Sequence, residues 1–196
     1  MEIKVITDKK FNRKDLQDSS QILSEAFRDE PGLNWLCPSK QHESWFYETT
    51  KLILSSQESQ LIVVNEDDRV VACALVSPPN FKPSLVAQII WLWRVWLNYD
   101  WKIINKTLQY LQKAEKEKNE KDFCLEFIGV SNQFRGKGIS RDLIKLIVTK
   151  IGSNSLFLTT ADHRNVSLYE HLKFALVGRH RIPGVDIFAM RNVGNK

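Results

Sequence analysis

Residues 124–148 read CLEFIGVSNQFRGKGISRDLIKLIV, and few folds accommodate them. The apolar run Leu125 to Val130 predicts a strand, and Gly138 to Ile151 has the 3.6-residue periodicity of an amphipathic helix. Only a short connection built on Gln133-Phe134-Arg135-Gly136-Lys137-Gly138 separates them. Its two glycines let the backbone approach a ligand closely, and the first turn of the helix has N–H groups without internal acceptors. The helix dipole adds partial positive charge there, and Arg135 and Lys137 add full charges. By spacing this is a phosphate-binding loop, the bland alternative being an ordinary strand-to-helix turn. It matches neither G-x-x-x-x-G-K-[ST] nor G-x-G-x-x-G, so a P-loop or dinucleotide fold is not indicated.

The rest of the chain alternates strands and helices. A strand is expected over residues 2–6, a helix from Asp15 to Arg28 stopped by Pro31-Gly32, and a helix from Gln41 to Ser55. Residues 60–64 and 70–76 form an expected antiparallel hairpin across Asn65-Glu66-Asp67-Asp68. After residue 121 the predicted order is strand, helix 138–151, strand 155–160, helix 165–172, and a hairpin of 175–182 with 185–191 across Pro183-Gly184. The expected fold class is α/β (α+β): a mixed, mostly antiparallel sheet of about six or seven strands flanked by helices. With 196 residues and no linker or internal repeat, one domain over 1–196 is expected.

Residues 81–121 interrupt this rhythm as a helical insert between the third and fourth strands. Leu85, Val86, Ile89, Ile90, Trp93, Trp96 and Leu97 recur at helical spacing, and Trp101, Ile104, Leu108 and Leu111 mark a second helix. The alternating charges of KAEKEKNEKD (113–122) suit a solvated helix end. Leu85 to Leu97 contains Gln88 and Arg94 and is too short to span a bilayer. The opening residues lack an apolar core, so no signal peptide is expected. Three cysteines (Cys37, Cys73, Cys124) without C-x-x-C spacing fit reduced thiols in the cytoplasm, and the four histidines lack metal-ligand spacing. A net charge of +5 permits an anionic partner without naming one. The basic cluster Arg164, Arg179, His180 and Arg181 has no interleaved aromatics, so nucleic-acid binding is not expected.

The segment around Gln133, Gly136 and Gly138, following Ile128-Gly129-Val130, resembles motif A of the GNAT N-acetyltransferase superfamily, [QR]-x-x-G-x-[GA]. About 30 residues on, Asn165-Val166-Ser167-Leu168-Tyr169-Glu170-His171-Leu172-Lys173-Phe174 is similar to the family's N-x-x-x-x-Y-x-x-x-G-F. The resemblance covers nearly the whole chain outside 81–121 and implies binding of acetyl-CoA and transfer of its acetyl group to a small-molecule or peptide amine. It implies that backbone N–H groups from about Phe134 through Arg135, Gly136, Lys137, Gly138 and Ile139 to Ser140 hold the pyrophosphate. It also implies that the pantetheine arm lies along Ile128, Gly129 and Val130, that Tyr169 is the general acid, and that Asn165 contacts the cofactor. Gln133 belongs to the same cofactor-binding signature. Lys173 departs from the family's glycine, at a place where a helix end often needs φ > 0.

Other readings of these residues stay open. Tyr169 also reads as a core aromatic, and Asn165 as the N-cap of the 165–172 helix. Glu126 is the candidate base, against an exposed strand charge paired with a cation; Asp122 and water are the alternative bases. Cys124 reads as an inert thiol. The insert walls the acceptor pocket, makes a homodimer contact, or lies on a membrane surface; in the first case its tryptophans suggest an apolar part on the amine. A non-catalytic acyl-CoA-binding or regulatory domain is the alternative function.

Overall fold

The computed structural model describes residues 1–7, 12–56 and 58–192. Seven strands, β1 (Glu2–Thr7), β2 (Gln60–Glu66), β3 (Arg69–Ser77), β4 (Phe123–Val130), β5 (Leu156–Thr160), β6 (Ala175–Ile182) and β7 (Val185–Asn192), form one sheet in the order β1-β2-β3-β4-β5-β7-β6. All neighbours are antiparallel except β4 and β5, which run parallel. The helices are α1 (Arg13–Ala26), α2 (Pro31–Leu36), α3 (His42–Leu54), α4 (Leu85–Asn98), α5 (Lys102–Ala114), α6 (Ile139–Ile151) and α7 (His163–His171). The expected mixed, mostly antiparallel sheet flanked by helices is the observed one.

Each face of the sheet buries a core. On one side Leu143, Ile144 and Ile147 of α6 and Val166 of α7 meet Ile62, Leu156, Leu158 and Met190. On the other, Leu23 of α1 and Phe46 of α3 meet Ile6, Leu61 and Leu75. There Phe27, Trp45, Phe46 and Phe127 pack edge to face, with ring centroids as close as 5.0 Å.

Local chemistry explains where the elements depart from expectation. The hairpin turn is only Asp67-Asp68, with φ of 49° and 58°, a left-handed pair that short polar side chains tolerate and that matches the strand twist. Pro31 does not simply end α1. It opens α2, where its missing N–H costs nothing, and the Glu30 carboxylate caps the helix by accepting the Leu33 N–H at 2.6 Å. The helix expected at 165 starts at His163, and its N-cap is Asp162, which accepts the Arg164 N–H, rather than Asn165. Lys173 adopts φ = 69°, so the turn that glycine would favour is kept with a lysine in it.

The insert folds as the two helices expected, but α4 turns the other way. Leu85, Ile89, Trp93 and Trp96 are all more than 60% exposed, and Trp91 and Val95 face inward. α4 is apolar almost all round, so periodicity alone does not choose its buried side. The choice rests on Trp91 Nε1 donating to Thr49 Oγ1 at 3.3 Å and on Arg94 pairing with Glu48 at 2.6 Å, both on α3. Among the described residues no helix is long and apolar enough to cross a membrane.

Asp122, one of the alternative bases, is instead structural. Its side chain is 0% exposed and accepts from Arg191 Nε and Nη2 at 3.0 and 2.8 Å, from the Asn119 N–H at 2.8 Å and from the Ser155 hydroxyl. Burial pushes its carboxyl up, but the bonds from Ser155, Arg191 and Asn119 outweigh burial and hold it below the usual carboxylate range. The depressed value contributes stability above the ordinary aspartate pKa, and that contribution is lost as pH falls through the folded value. Asp122→Ala, which leaves Arg191 without its carboxylate, is expected to lower stability by about 3–5 kcal/mol at pH 7. The deficit should shrink as the pH drops below about 4, measured by urea unfolding across that range.

Candidate functional site

β4 and β5 pair only at Phe123 with Leu156 and Cys124 with Phe157. Past these residues the strands part, and a cavity of about 730 Å³ fills the gap, lined by Leu125 to Ile128 of β4 and Leu158 to Thr160 of β5. β4 stays paired to β3 on its other edge, where the Ser131 N–H donates to the Val71 carbonyl and Ala72 lies opposite Val130. Antiparallel alternation then turns the backbone N–H groups of Val130 and Ile128 toward the β5 side, where no strand meets them. Gly129 between them packs against Leu23 and Ala26 of α1, where a Cβ would come within 3.1 Å of Leu23.

At the end of this free edge lies the glycine loop. Gly136 and Gly138 have φ of 77° and 80°, which L side chains rarely adopt, and Gly138 caps α6 without a side-chain bond. The first helical bond is from the Asp142 N–H to the Gly138 carbonyl. The N–H groups of Gly136 through Arg141 therefore have no acceptor among the described residues, and they lie at the positive end of the α6 dipole. Phe134 and Arg135 do not join them. Their N–H groups close a 3₁₀ turn onto Ser131 and Asn132, so the donor fan starts two residues later than expected. The two cations differ. Arg135 is tied back to the Val130 and Glu25 carbonyls at 3.3 and 3.4 Å, while Lys137 sits 4.4 Å from the Phe134 ring centroid at the loop. Gln133 is exposed, Ile139 opens α6 and is buried in its core, and Ser140 follows in the first turn of the helix. This fan of backbone donors at a helix N-terminus suits the phosphates of a nucleotide cofactor.

Glu126 stands where β4 carries an extra residue. Leu75 faces Phe127 and Val76 faces Leu125, so Glu126 has no partner on β3 and the strand is bulged there. The bulge aims the carboxylate into the cavity rather than at solvent. It makes no ion pair among the described residues; it accepts the Ser77 hydroxyl at 2.5 Å. Burial lifts the Glu126 carboxyl above its usual range, and the Ser77 hydroxyl, the Lys118 charge and the Cys124 thiol only partly counter it. Burial, with the nearby Glu126 charge second, pushes the Cys124 thiol well up, which leaves it protonated and a poor nucleophile.

Tyr169, on α7, and Asn165, one turn before it, both line the same cavity. Burial, with the Glu30 charge second, pushes the Tyr169 hydroxyl up to about 12, so it stays protonated at neutral pH. Its ring also packs on Phe174, so its core and cavity placements coexist. Asn165 reaches Thr160 Oγ1 at 3.4 Å. Sequence reasoning missed Glu30. Its carboxylate, besides capping α2, accepts the Ala161 N–H at 3.0 Å, bridging α2 to the end of β5 inside the cavity. Burial raises it above its ordinary range against those two backbone bonds. A glutamate directly before Pro-Gly was the available signal.

The Acetyltransferase (GNAT) family model matches residues 21–174. Similar solved structures include the histone acetyltransferase HPA2 and related acetyltransferase from Corynebacterium glutamicum, at 17% identity and TM-score 0.65, covering 100% of this chain and 98% of that one. An N-acetyltransferase from Staphylococcus aureus aligns at 13% identity and TM-score 0.64, over 97% of this chain and 100% of that one. An acyl-CoA N-acyltransferase from Pseudomonas aeruginosa aligns at 11% identity and TM-score 0.60, over 98% and 100%. No curated protein sequence matches the chain.

The raised Glu126 value carries a sign that unfolding can read. A carboxyl held above its unfolded value costs stability as pH rises from the ordinary glutamate range through the folded value. Glu126→Gln removes that cost, so the melting temperature of the variant relative to wild type should climb between about pH 4 and neutrality. A pH-independent difference would show that the carboxyl titrates normally.

Proposed function

Because the chain belongs to the GNAT acetyltransferase family, we propose that it transfers the acetyl group of acetyl-CoA to the primary amine of a small molecule or peptide. The observation that carries this reading is the unpaired β4 edge, which leads from the donor fan of α6 at one end to Glu126 and Tyr169 at the other. When bound, acetyl-CoA supplies a thioester whose carbonyl carbon forms the new C–N bond while its C–S bond breaks.

The chain's own residues divide the remaining work. The backbone N–H groups of Gly136 to Arg141 hold phosphate oxygens. The Ile128 and Val130 N–H groups pair with an extended amide-bearing arm as a neighbouring strand would, and one such donor fixed near a carbonyl oxygen stabilises charge developing on it. Glu126, its pKa raised toward the working range, takes the proton from the attacking nitrogen directly or through one water. Tyr169, protonated at neutral pH, gives its Oη proton to the departing sulfur. The balance is one amide and one free thiol for each amine and thioester consumed. Asn165 adds a polar contact beside Tyr169. The three free cysteines support a reducing, cytoplasmic setting.

Acetyl-CoA at about 100 times its dissociation constant should add roughly 2.7 kcal/mol to the folded state, read as a rise in melting temperature. Gly136→Glu/Gly138→Glu should abolish that rise. With an accepted amine, Glu126→Gln and Tyr169→Phe should each lower kcat by about 10²- to 10⁴-fold. Wild type should show an acidic limb in kcat/KM that Glu126→Gln lacks; persistence of the limb would remove Glu126 from the role of base. Cofactor binding without thiol release from any amine would mark a binding domain instead.

A further inference from the structure

Resting on the acetyltransferase reading, we propose that the acceptor is a primary amine carrying an extended apolar chain, with its nitrogen at Glu126 and its chain running out between α4 and α5. Three observations converge on this. First, the cavity's charged lining is acidic: Glu30, Glu115 and Glu126 against Lys118 alone, a setting that attracts an ammonium group. Second, the wall away from the sheet is formed by Leu52, Ile53, Trp91, Leu92, Leu108 and Leu111 of α3, α4 and α5. Three polar side chains in that wall each make one hydrogen bond within the protein. Thr49 Oγ1 accepts from Trp91, Gln88 Nε2 donates to the Pro83 carbonyl, and Thr107 Oγ1 donates to the Ile103 carbonyl. Beyond the carboxylates, the hydroxyls of a sugar or the further ammonium groups of a polyamine would meet the leucine and tryptophan side chains of that wall, whereas an alkyl chain would lose nothing there.

Third, the apolar lining does not stop at the surface. Leu92, Leu108 and Leu111 both line the cavity and are 41%, 62% and 43% exposed, so the wall continues into an apolar portal. A chain too long for the interior therefore has somewhere to go. Trp93 and Trp96 lie outside the cavity lining and take no part in holding it, which corrects the expectation that the insert's tryptophans as a group wall the acceptor pocket; Trp91 alone does.

The test gives the protein and acetyl-CoA a series of propylamine, hexylamine and decylamine (the last below its micelle concentration), with spermidine and glucosamine in parallel, and follows thiol release. Burial of each methylene is expected to raise kcat/KM about 2- to 4-fold, the upper figure corresponding to about 0.8 kcal/mol per CH₂. Leu92→Gln/Leu111→Gln should flatten the rise from hexylamine to decylamine, and Trp93→Ala/Trp96→Ala, outside the cavity lining, should leave the whole series unchanged. Faster turnover of spermidine or glucosamine, or no dependence on chain length, would overturn the proposal and leave the acetyltransferase reading standing. Calorimetric titration of decylamine into the protein without acetyl-CoA separates the two. Saturable decylamine binding that the leucine variant weakens supports the chain site even where no amine is turned over, and absence of binding overturns it. Failure of the acetyl-CoA melting shift would strike the acetyltransferase reading alone.

Discussion

β4 and β5 are held together at Phe123–Leu156 and Cys124–Phe157 and nowhere further along, and beside this junction Asp122 binds Arg191 of β7 and Ser155 at the start of β5. The knot fixes the joined end of the two parallel strands, so the parting beyond it is a stable gap rather than a fraying edge. A continuous sheet would have satisfied the Ile128 and Val130 backbone groups internally and closed the cavity. The buried carboxylate at the junction and the free donors beyond it are thus two parts of one arrangement: tight pairing at one end makes open pairing at the other affordable.

The gap has opposite character at its two ends. At the α6 end the donors are backbone N–H groups fixed by Gly136 and Gly138, so their geometry does not depend on flexible side chains. At the α2–α5 end the groups are carboxylates, Glu30 and Glu126, both lifted above their ordinary range mainly by burial. An anion is favoured at one end and a cation at the other, an arrangement that would orient the two reactants of the proposed transfer along β4. The bulge at Glu126 links backbone to chemistry: one extra residue in β4 turns a side chain that regular alternation would place otherwise.

Much of the fold was legible because its signals are local. Alternation in β2 and β3, the helical period of 139–151 and the glycine pair at 136 and 138 each depend on neighbours in the chain. Lys173 at φ = 69° shows the opposite case, a turn imposed by its surroundings on a residue that does not favour it. Three matters depended on distant partners and were not legible. Asp122 looked like a candidate base until Arg191, far along the chain, was seen to bind it. Asn165 looked like a helix cap until α7 was seen to start two residues earlier, on Asp162. α4 had no preferred side in its sequence, and only Thr49 and Glu48 of α3 decided which tryptophan went inward.

By itself the sequence determined the strand–loop–helix that carries the donor fan, because glycine conformation, helix dipole and missing acceptors are properties of that one segment. It determined as well which residues, Glu126, Tyr169 and Asn165, were chemically able to serve beside it. The tertiary structure alone decided that β4 and β5 part after two residue pairs, that Glu126 is bulged into the gap and desolvated there, and that Glu30 joins it from α2. The physical reason is that burial, and with it the proton affinity of a carboxylate, is set by what packs around a residue from elsewhere in the chain.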